Sequence, residues 1–315
     1  MQSAQRTAES VGVWSASCGR QLAWLRKNES VIPIEPLASA RGVVLLVEPR
    51  EDKNLEFTIR NWMHFVGPRK YGLVVFHGSK NKEFVENIVK DSPNAVLQDL
   101  GIENLRGQDY SNLMTDADFW RSVPHENVLL VQTDTMCLGG DGLEAVEDCD
   151  YVGAPWWNTC PKTGYVFHPS SGPYRPTACS QGWALPELWP ELVGNGGLSL
   201  RKKSAMIQCC ESFRLHSAKT GDPKRPVMVG TDGTNRAVDA EDVFFAVACK
   251  RLGKKVATRE AALGFAAEEI LPLSIRQDAP CCFGLHKIYP YHGPRLVSLV
   301  LATSAIEKRI REEKE

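Results

Sequence analysis

Four short segments of this 315-residue chain carry side chains that are suited to chemistry. Asp134 follows an apolar run, residues 194–197 read Gly-Asn-Gly-Gly, Glu241 and Asp242 are adjacent, and His286 ends the sequence Phe-Gly-Leu-His. A carboxylate and an imidazole can ligate a metal ion, and a further carboxylate can accept a proton. A glycine run leaves backbone N–H groups open to a ligand. Together these residue types predict a ligand-binding site with general-base chemistry.

Each segment also has a purely structural interpretation. An Asp after a strand is common in turns, a single His is often a hydrogen-bonded core residue, and acidic residues cap many helices. A tight turn before a buried strand explains two glycines, but less readily three glycines beside Asn195. The functional interpretation therefore depends on whether the four segments meet in space.

The surrounding pattern predicts strands that alternate with helices. Residues 43–47, 72–76 and 127–132 are apolar runs of strand length, which favours strands buried on both faces of a sheet. Between residues 55 and 66, apolar side chains recur at three- and four-residue spacing, which predicts an amphipathic helix. In open α/β sheets, ligands bind beyond the carboxyl ends of the strands. Asp134 follows the third run and is therefore expected at that edge.

The second half of the chain continues this pattern. Residues 197–200 predict a strand, residues 202–213 a helix, and residues 241–252 a helix that ends at Gly253. The acidic pair then lies in the first turn of the helix at 241–252, where the macrodipole favours ionised carboxylates. We therefore expect this helix to keep a general base deprotonated at neutral pH.

The order of the four segments resembles that of a known group of proteins. A strand that ends in Asp134 is followed by Gly-Asn-Gly-Gly-Leu-Ser-Leu-Arg (194–201), Glu-Asp-Val-Phe-Phe (241–245) and Phe-Gly-Leu-His (283–286). This order resembles an uncharacterised family of glycosyltransferase-like domains with the GT-A fold, which is distantly similar to the inverting β-1,4-galactosyltransferases. The resemblance extends over about residues 41–289. It implies an α/β fold with a Rossmann-like mixed sheet that is flanked by helices, in a single domain.

The resemblance implies an enzyme that moves a sugar from a nucleotide-diphosphate-sugar donor to a hydroxyl acceptor, with metal assistance and with inversion. Asp134 stands where GT-A enzymes have the Asp-x-Asp motif, although the sequence Gln-Thr-Asp there contains one carboxylate. His286 matches the late histidine of the metal site, so the implied cofactor is a divalent metal, Mn²⁺ or Mg²⁺. The implied partners are a UDP-sugar donor and a glycan or other hydroxyl acceptor. Asp242 is the implied general base, and Glu241 orients hydroxyl groups.

Further residues are expected to contact the donor or the acceptor because they follow a strand, belong to the glycine-rich segment or present an aromatic face. These residues are Arg50, Glu51, Gln132, Thr133, Trp156, Trp157, Asn195, Gly196 and Gly197. The alternatives are ordinary loop charges at the first two positions and buried packing of at least one of the two tryptophans.

Composition argues against several other classes of protein. The chain has 37 Lys and Arg against 38 Asp and Glu, which disfavours nucleic-acid and membrane-surface binding. No apolar segment approaches the roughly 20 residues that cross a bilayer, and the first thirty residues lack the apolar core of a signal peptide. The ten cysteines include two adjacent pairs, at 209–210 and 281–282, and no Cys-x-x-Cys motif. We therefore expect reduced thiols and a cytoplasmic location.

The chain is expected to divide into three parts: an N-terminal arm (1–40), a GT-A-like glycosyltransferase domain (41–292) and a C-terminal helix (293–315). The domain includes a long irregular insertion rich in Trp and Pro at residues 153–194. Two other functions stay open. One is a non-catalytic carbohydrate- or nucleotide-binding module of the same fold, since the metal motif has a single aspartate, and the other is a nucleotidyltransferase, which shares a metal-and-diphosphate site.

Overall fold

The computed structural model describes residues 2–156, 193–216, 227–233, 235–237, 240–269, 271–272, 275–276 and 279–315. Its helices are α1 (Gln2–Asn28), α2 (Leu55–Val66), α3 (Lys82–Val89), α4 (Gly107–Met114), α5 (Ala117–Ser122), α6 (Lys203–Ser212), α7 (Glu241–Arg251), α8 (Arg259–Phe265), α9 (Pro294–Leu301) and α10 (Ala305–Glu312), with a 3-10 helix at Gly67–Arg69. Its strands are β1 (Gly42–Glu48), β2 (Tyr71–His77), β3 (Val96–Asp99), β4 (Asn127–Val131), β5 (Thr135–Cys137), β6 (Tyr151–Gly153), β7 (Leu198–Lys202), β8 (Phe213–His216), β9 (Val227–Gly230), β10 (Asn235–Ala237), β11 (Ala266–Ala267) and β12 (Gly284–His286).

A six-stranded sheet in the order β3-β2-β1-β4-β7-β6 forms the centre of the fold. β1 to β4 are parallel to their neighbours within this set, whereas β7 is antiparallel to β4 and to β6. The apolar runs at 43–47, 72–76 and 127–132 are confirmed as β1, β2 and β4. The predicted class, an α/β fold with a mixed sheet flanked by helices, is confirmed.

Helices cover both faces of this sheet, which explains the continuous apolar runs. On one face, Val44 and Leu129 pack in a cluster with Trp62 of α2. On the opposite face, Leu130 packs in a cluster with Phe244 of α7. Successive residues of a strand point to opposite faces, so a strand that is covered on both sides is apolar at nearly every position.

The direction of β7 decides where the glycine-rich segment lies. Because β7 is antiparallel to β4, with Val131 opposite Leu198, the residues before β7 lie beside the residues after β4. The N–H of Gln132 donates to the carbonyl of Gly197 across this junction, at 3.0 Å. The glycine-rich segment therefore lies at the carboxyl ends of β1 and β4, the edge at which Asp134 is expected.

A second sheet, β11-β12-β5, brings the late histidine to the same edge. β12 is antiparallel to β5, so His286 lies opposite Thr135. β5 begins at the residue after Asp134, and the N–H of Lys287 donates to the carbonyl of Asp134 at 3.0 Å. This pairing places the end of Phe-Gly-Leu-His directly beside the end of β4.

The N-terminal segment differs from the predicted arm because most of it is a packed helix. α1 contacts α2, α9 and α10, and it buries Trp14 and Leu25. Its buried face also carries polar residues such as Ser17, whose hydroxyl donates to Glu307 of α10 at 2.6 Å. These polar residues interrupt the apolar stripe from which a helix is predicted.

The C-terminal segment forms two helices, α9 and α10, where the sequence predicts one. The chain turns between them at Thr303, whose hydroxyl donates to the carbonyl of Val300 at 2.7 Å. Most of the predicted Trp- and Pro-rich insertion lies outside the described residues. Within the described part of the chain, no helix has both the length and the apolar character that a membrane span requires.

Candidate active site

Asp134 is held at the carboxyl end of β4 by a fixed turn. The N–H and the hydroxyl of Thr135 both donate to the carbonyl of Gln132, at 3.1 and 2.7 Å. The indole N–H of Trp62 donates to the Thr135 hydroxyl at 2.8 Å. The turn is thereby tied to α2, and the Asp134 carboxylate, 24% exposed, faces the sheet edge from a rigid support.

His286 lies between two carboxylates. Its Nε2 is 3.3 Å from Oδ1 of Asp134, and its Nδ1 is 3.2 Å from Oε1 of Glu268, the residue that follows β11. The ring is buried, and among the described atoms neither ring nitrogen nor Asp134 Oδ1 has a partner in hydrogen-bonding geometry. These three buried polar atoms are close to one another but not paired by direct hydrogen bonds.

The charges of this group shift the pKa values of His286 and Asp134. Burial alone would lower the pKa of His286, but the carboxylates of Glu268 and Asp134 outweigh it and raise the pKa to about 10. Burial alone would raise the pKa of Asp134, but His286 and Lys287 offset it and hold the pKa below its usual value. Without a metal ion, a protonated His286 therefore balances the two acidic groups.

The chemistry of this group also fits a divalent metal ion. A carboxylate oxygen and an imidazole nitrogen are compatible ligands for Mn²⁺. Glu268 lies on the other ring nitrogen, where a carboxylate commonly orients a metal-bound histidine. Nowhere in the described ranges are three or more Asp, Glu, His or Cys side chains arranged around one cation position. Asp134 and His286 would therefore be two ligands of an ion that takes its other ligands from substrate or water.

The glycine-rich segment makes room for two of the site's side chains. A Cβ atom at Gly197 would overlap Nε2 of His286, and a Cβ atom at Gly196 would overlap Oε1 of Glu241. The carboxamide of Asn195 accepts a hydrogen bond from the N–H of Gly197 at 3.1 Å and keeps the segment in shape. The glycines thus admit neighbouring side chains, whereas the sequence predicted that they admit the ligand.

Glu241 and Asp242 are the first two residues of α7, and their carboxylates have different partners. Oε1 of Glu241 forms an ion pair with Nη2 of Arg201 at 3.3 Å. Asp242 instead accepts from backbone N–H groups, from its own neighbour Val243 at 2.7 Å and from Gly196 at 3.4 Å. Among the described residues, Arg201 pairs with Glu241 and no cation forms an ion pair with Asp242.

The pKa of Asp242 shifts in the direction opposite to the prediction. Burial and the charge of Glu241 raise the pKa to about 7, and they outweigh the backbone hydrogen bond of Val243 and the charge of Arg201. The expectation that the helix terminus keeps this group ionised is therefore wrong, because burial and a like charge exceed the effect of the macrodipole. A pKa near neutrality is nevertheless suited to proton transfer at physiological pH.

Arg201 is a functional candidate to which sequence analysis assigned no role. Its guanidinium is fully buried among the rings of Trp120, Tyr151 and Phe245, at 5.7, 5.3 and 5.0 Å from their centroids. These aromatic faces stabilise a cation that has left water. The sequence contains Arg201 at the end of an apolar strand, but the aromatic box comes from three distant segments and becomes visible only in the fold.

A pocket of about 220 Å³ opens beside Asp134. Its lining combines the ends of β1 and β4 with α4 and includes Glu48, Arg50, Tyr110, Gln132 and Thr133. Arg50, Gln132 and Thr133, which were predicted to contact the donor or the acceptor, thus lie together in the pocket lining. Glu48 and Tyr110 also line the pocket and were not predicted.

Of the two charged residues predicted to contact a ligand after β1, Arg50 lines the pocket and Glu51 does not. Arg50 forms a two-point ion pair with Glu48, at 2.8 and 2.7 Å, so its guanidinium has a fixed orientation in the pocket wall. Glu51 is exposed and does not line this pocket.

Of the two tryptophans that were predicted to contact the donor or the acceptor, the structure describes Trp156. Trp156 is buried in the same core cluster as Tyr151 and Phe244, so buried packing accounts for its position. A Cβ atom at Gly194 would contact its ring. Trp157 lies outside the described residues.

Comparisons with known proteins give a family match and distant structural likenesses. A family model described as "Protein of unknown function (DUF5672)" matches residues 97–286. The solved structures include mannosyltransferase PcManGT from Pyrobaculum calidifontis in complex with GDP-Man and Mn²⁺, with a TM-score of 0.41 and 15% identity. That alignment covers 80% of this chain and 66% of the other, so this chain spans just under two thirds of that chain's length. No curated protein matches this chain.

Proposed function

We propose that this chain, which belongs to the family DUF5672, is a glycosyltransferase that moves a sugar from a nucleoside-diphosphate-sugar to a hydroxyl group. One observation carries the proposal: two adjacent glycines lie beside the Asp134–His286 pair and the Glu241–Asp242 pair. Gly197 borders His286, which contacts Asp134, and Gly196 borders Glu241 and Asp242. Consecutive Cα atoms are about 3.8 Å apart, so we assign the two pairs to one reaction centre.

Asp134 and His286 would hold the divalent metal, Mn²⁺ or Mg²⁺. Such an ion supplies charge neutralisation for the diphosphate leaving group. In the metal-bound state Nε2 of His286 must be unprotonated, and the Nδ1–H would then donate a hydrogen bond to the carboxylate of Glu268. Lys287, which contacts Asp134 on its other carboxylate oxygen, adds a positive charge on the same side.

Asp242 would act as the general base of an inverting transfer. As the acceptor oxygen attacks the anomeric carbon, its proton passes to Asp242, whose pKa near 7 allows both states at neutral pH. Glu241 is engaged by Arg201 and would orient a hydroxyl group of the acceptor or of the sugar. The two adjacent carboxylates thus divide proton transfer and positioning between them.

The pocket at the ends of β1 and β4 would bind the nucleoside of the donor. We propose that this donor is a UDP-sugar. The pocket adjoins Asp134, so a nucleoside bound there extends its diphosphate toward the metal ligands. The fixed ion pair of Arg50 with Glu48 and the Tyr110 side chain provide the polar and aromatic wall.

A second candidate function is a binding module without turnover. The observations in its favour are the single carboxylate at the end of β4 and the protonated state that the site favours for His286 in the absence of metal. A cation bound by few protein ligands binds weakly, which would reduce catalysis more than recognition.

Incubation with UDP- and GDP-sugars and Mn²⁺ separates these functions. Release of nucleoside diphosphate that Asp242→Asn abolishes would support the transferase. Sugar-nucleotide binding without release, tested with a range of hydroxyl acceptors, would support the module. Pyrophosphate production from a nucleoside triphosphate and a sugar phosphate would instead indicate a nucleotidyltransferase and contradict the proposal.

A further inference from the structure

Lys287 has a backbone conformation that L-amino acids rarely adopt. Its φ is +46°, and the only other non-glycine residue with positive φ in the described part of the chain is Lys70. Lys70 has an ordinary explanation, since it ends the 3-10 helix Gly67–Arg69 and donates to the carbonyl of Gly67 at 2.9 Å. Lys287 directly follows the strand β12, so a helix end does not explain its left-handed backbone. Strained residues of this kind concentrate at functional sites.

The consequence of this conformation is a second contact with Asp134. The N–H of Lys287 donates to the carbonyl of Asp134, and its Nζ lies 3.8 Å from Oδ2 of the same residue. His286 contacts the other oxygen, Oδ1. The ammonium group is therefore directed to the opposite side of the carboxylate from the imidazole, while its side chain stays 46% exposed.

The charge of the surrounding edge makes this ammonium group useful. Asp134, Glu268, Glu241 and Asp242 are acidic, so the edge repels an anionic ligand unless cations compensate. Arg201 is buried and paired with Glu241, and Arg50 is engaged by Glu48. The side chain of Lys287 is exposed, and its Nζ is as far as 3.8 Å from Oδ2 of Asp134. The protons of this ammonium group are therefore available to a ligand.

We propose that Lys287 binds the diphosphate of the nucleotide donor and gives the site its preference for a diphosphate over a monophosphate. The inference rests on the proposed function and adds a residue to it. A nucleoside monophosphate in the adjoining pocket would carry one phosphate toward Asp134, whereas a diphosphate has a second one within reach of an exposed ammonium group. The left-handed backbone keeps that group at the carboxylate instead of letting it extend into solvent.

The test is calorimetric binding of UDP, UMP, GDP and GMP in the presence of Mn²⁺. For whichever base binds, the wild-type protein should prefer the diphosphate, and Lys287→Met should lose about tenfold of that preference, the size of one charge-assisted hydrogen bond. Lys70→Met is a matched control, because it removes the same type of side chain from a residue that also has a positive φ, at the amino-terminal end of β2. It should keep the full preference.

A second variant separates the side chain from the backbone strain. Lys287→Gly suits a positive φ and should therefore fold at least as stably as the wild-type protein, yet it should lose the same preference as Lys287→Met. If both Lys287 variants keep the diphosphate preference of the wild-type protein, the inference is overturned and the proposed function stands. If the wild-type protein binds none of the four nucleotides, the proposed function fails, and the inference fails with it.

Discussion

Glu241 and Asp242 are adjacent in the chain, yet their surroundings give them different chemistry. Arg201, held by three aromatic rings, fixes Glu241 from inside the core. Asp242 contacts backbone N–H groups instead, and burial beside Glu241 raises its pKa to about 7. At the residue scale, the environment of each side chain, more than its type, decides which of the two can exchange a proton.

Replacement of Asp242 by Asn should separate catalysis from binding. The near-isosteric amide cannot accept the proton, so we expect transfer to fall by about 10²- to 10⁴-fold while the donor dissociation constant changes by a few-fold at most. Initial rates of nucleoside diphosphate release and calorimetry would measure the two effects. A variant that turns over at the wild-type rate would remove Asp242 from the reaction, and loss of donor binding would assign it to the donor site.

The pH dependence follows from the same pKa. The base form of Asp242 is the active one, so the wild-type rate should rise with pH through about 7 and level off above it. Because Arg201 lowers the pKa of Asp242, Arg201→Gln should move this midpoint to higher pH. A pH–rate profile of each protein would test this, and an unchanged midpoint would mean that another group titrates.

Replacement of Asp134 by Ala should abolish Mn²⁺-dependent binding of the nucleoside diphosphate without unfolding the chain. Asp134 lies beyond the end of β4 and contributes little to the core, but it is the main charged ligand of the predicted ion. Calorimetry with and without Mn²⁺ would measure the effect, with thermal denaturation as the control for folding. Retention of Mn²⁺-dependent binding by the variant would exclude Asp134 as a ligand.

At the element scale, the segment before β7 explains how motifs from four parts of the chain form one site. It lies beside the end of β4 because β7 is antiparallel, and its glycines leave space for His286 and Glu241. The β12–β5 pairing then fixes His286 opposite Thr135. The direction of β7 and the space beside the glycines thus bring the site residues together, more than any single motif does.

Gly197→Ala should therefore disturb the site through His286. The new Cβ would overlap the imidazole, which has little room to move because it is buried between Asp134 and Glu268. We expect Mn²⁺ binding to weaken by about tenfold or more, since loss of a well-placed ligand costs at least that much. Gly264→Ala is the control, because its Cβ meets no atom within 4 Å and Ala favours the helix α8. Equal Mn²⁺ affinity in the two variants would contradict this account.

At the scale of the whole molecule, α1 joins the fold to its last two helices. It buries Trp14 in the cluster that also contains Leu285 and Val297, so the first and last segments share a core with β12. The strand that carries His286 is thus supported from the side opposite the large sheet. The packing around β12, which carries His286, therefore includes residues of α1 and α9.

Trp14→Ala should lower the free energy of unfolding by about 3–5 kcal/mol, the usual cost of removing a buried aromatic side chain. Val11→Ala on the same helix is the control, since Val11 is 38% exposed and should cost about 0.5 kcal/mol or less. Urea denaturation of the two variants would measure both values. A Trp14 variant as stable as the control would show that α1 contributes little to the core.

The sequence alone determined the strands β1, β2, β4 and β7 of the central sheet, the helices α2 and α7, and the edge at which Asp134 lies. These features depend on apolar runs and on spacing within a few residues, which a chain carries locally. The tertiary structure alone decided the role of Glu268 beside His286, the aromatic box of Arg201, the helical state of α1 and the raised pKa of Asp242. Each of these depends on burial and charge contributed by distant segments, and neither burial nor the distance between charges can be calculated before the chain is folded.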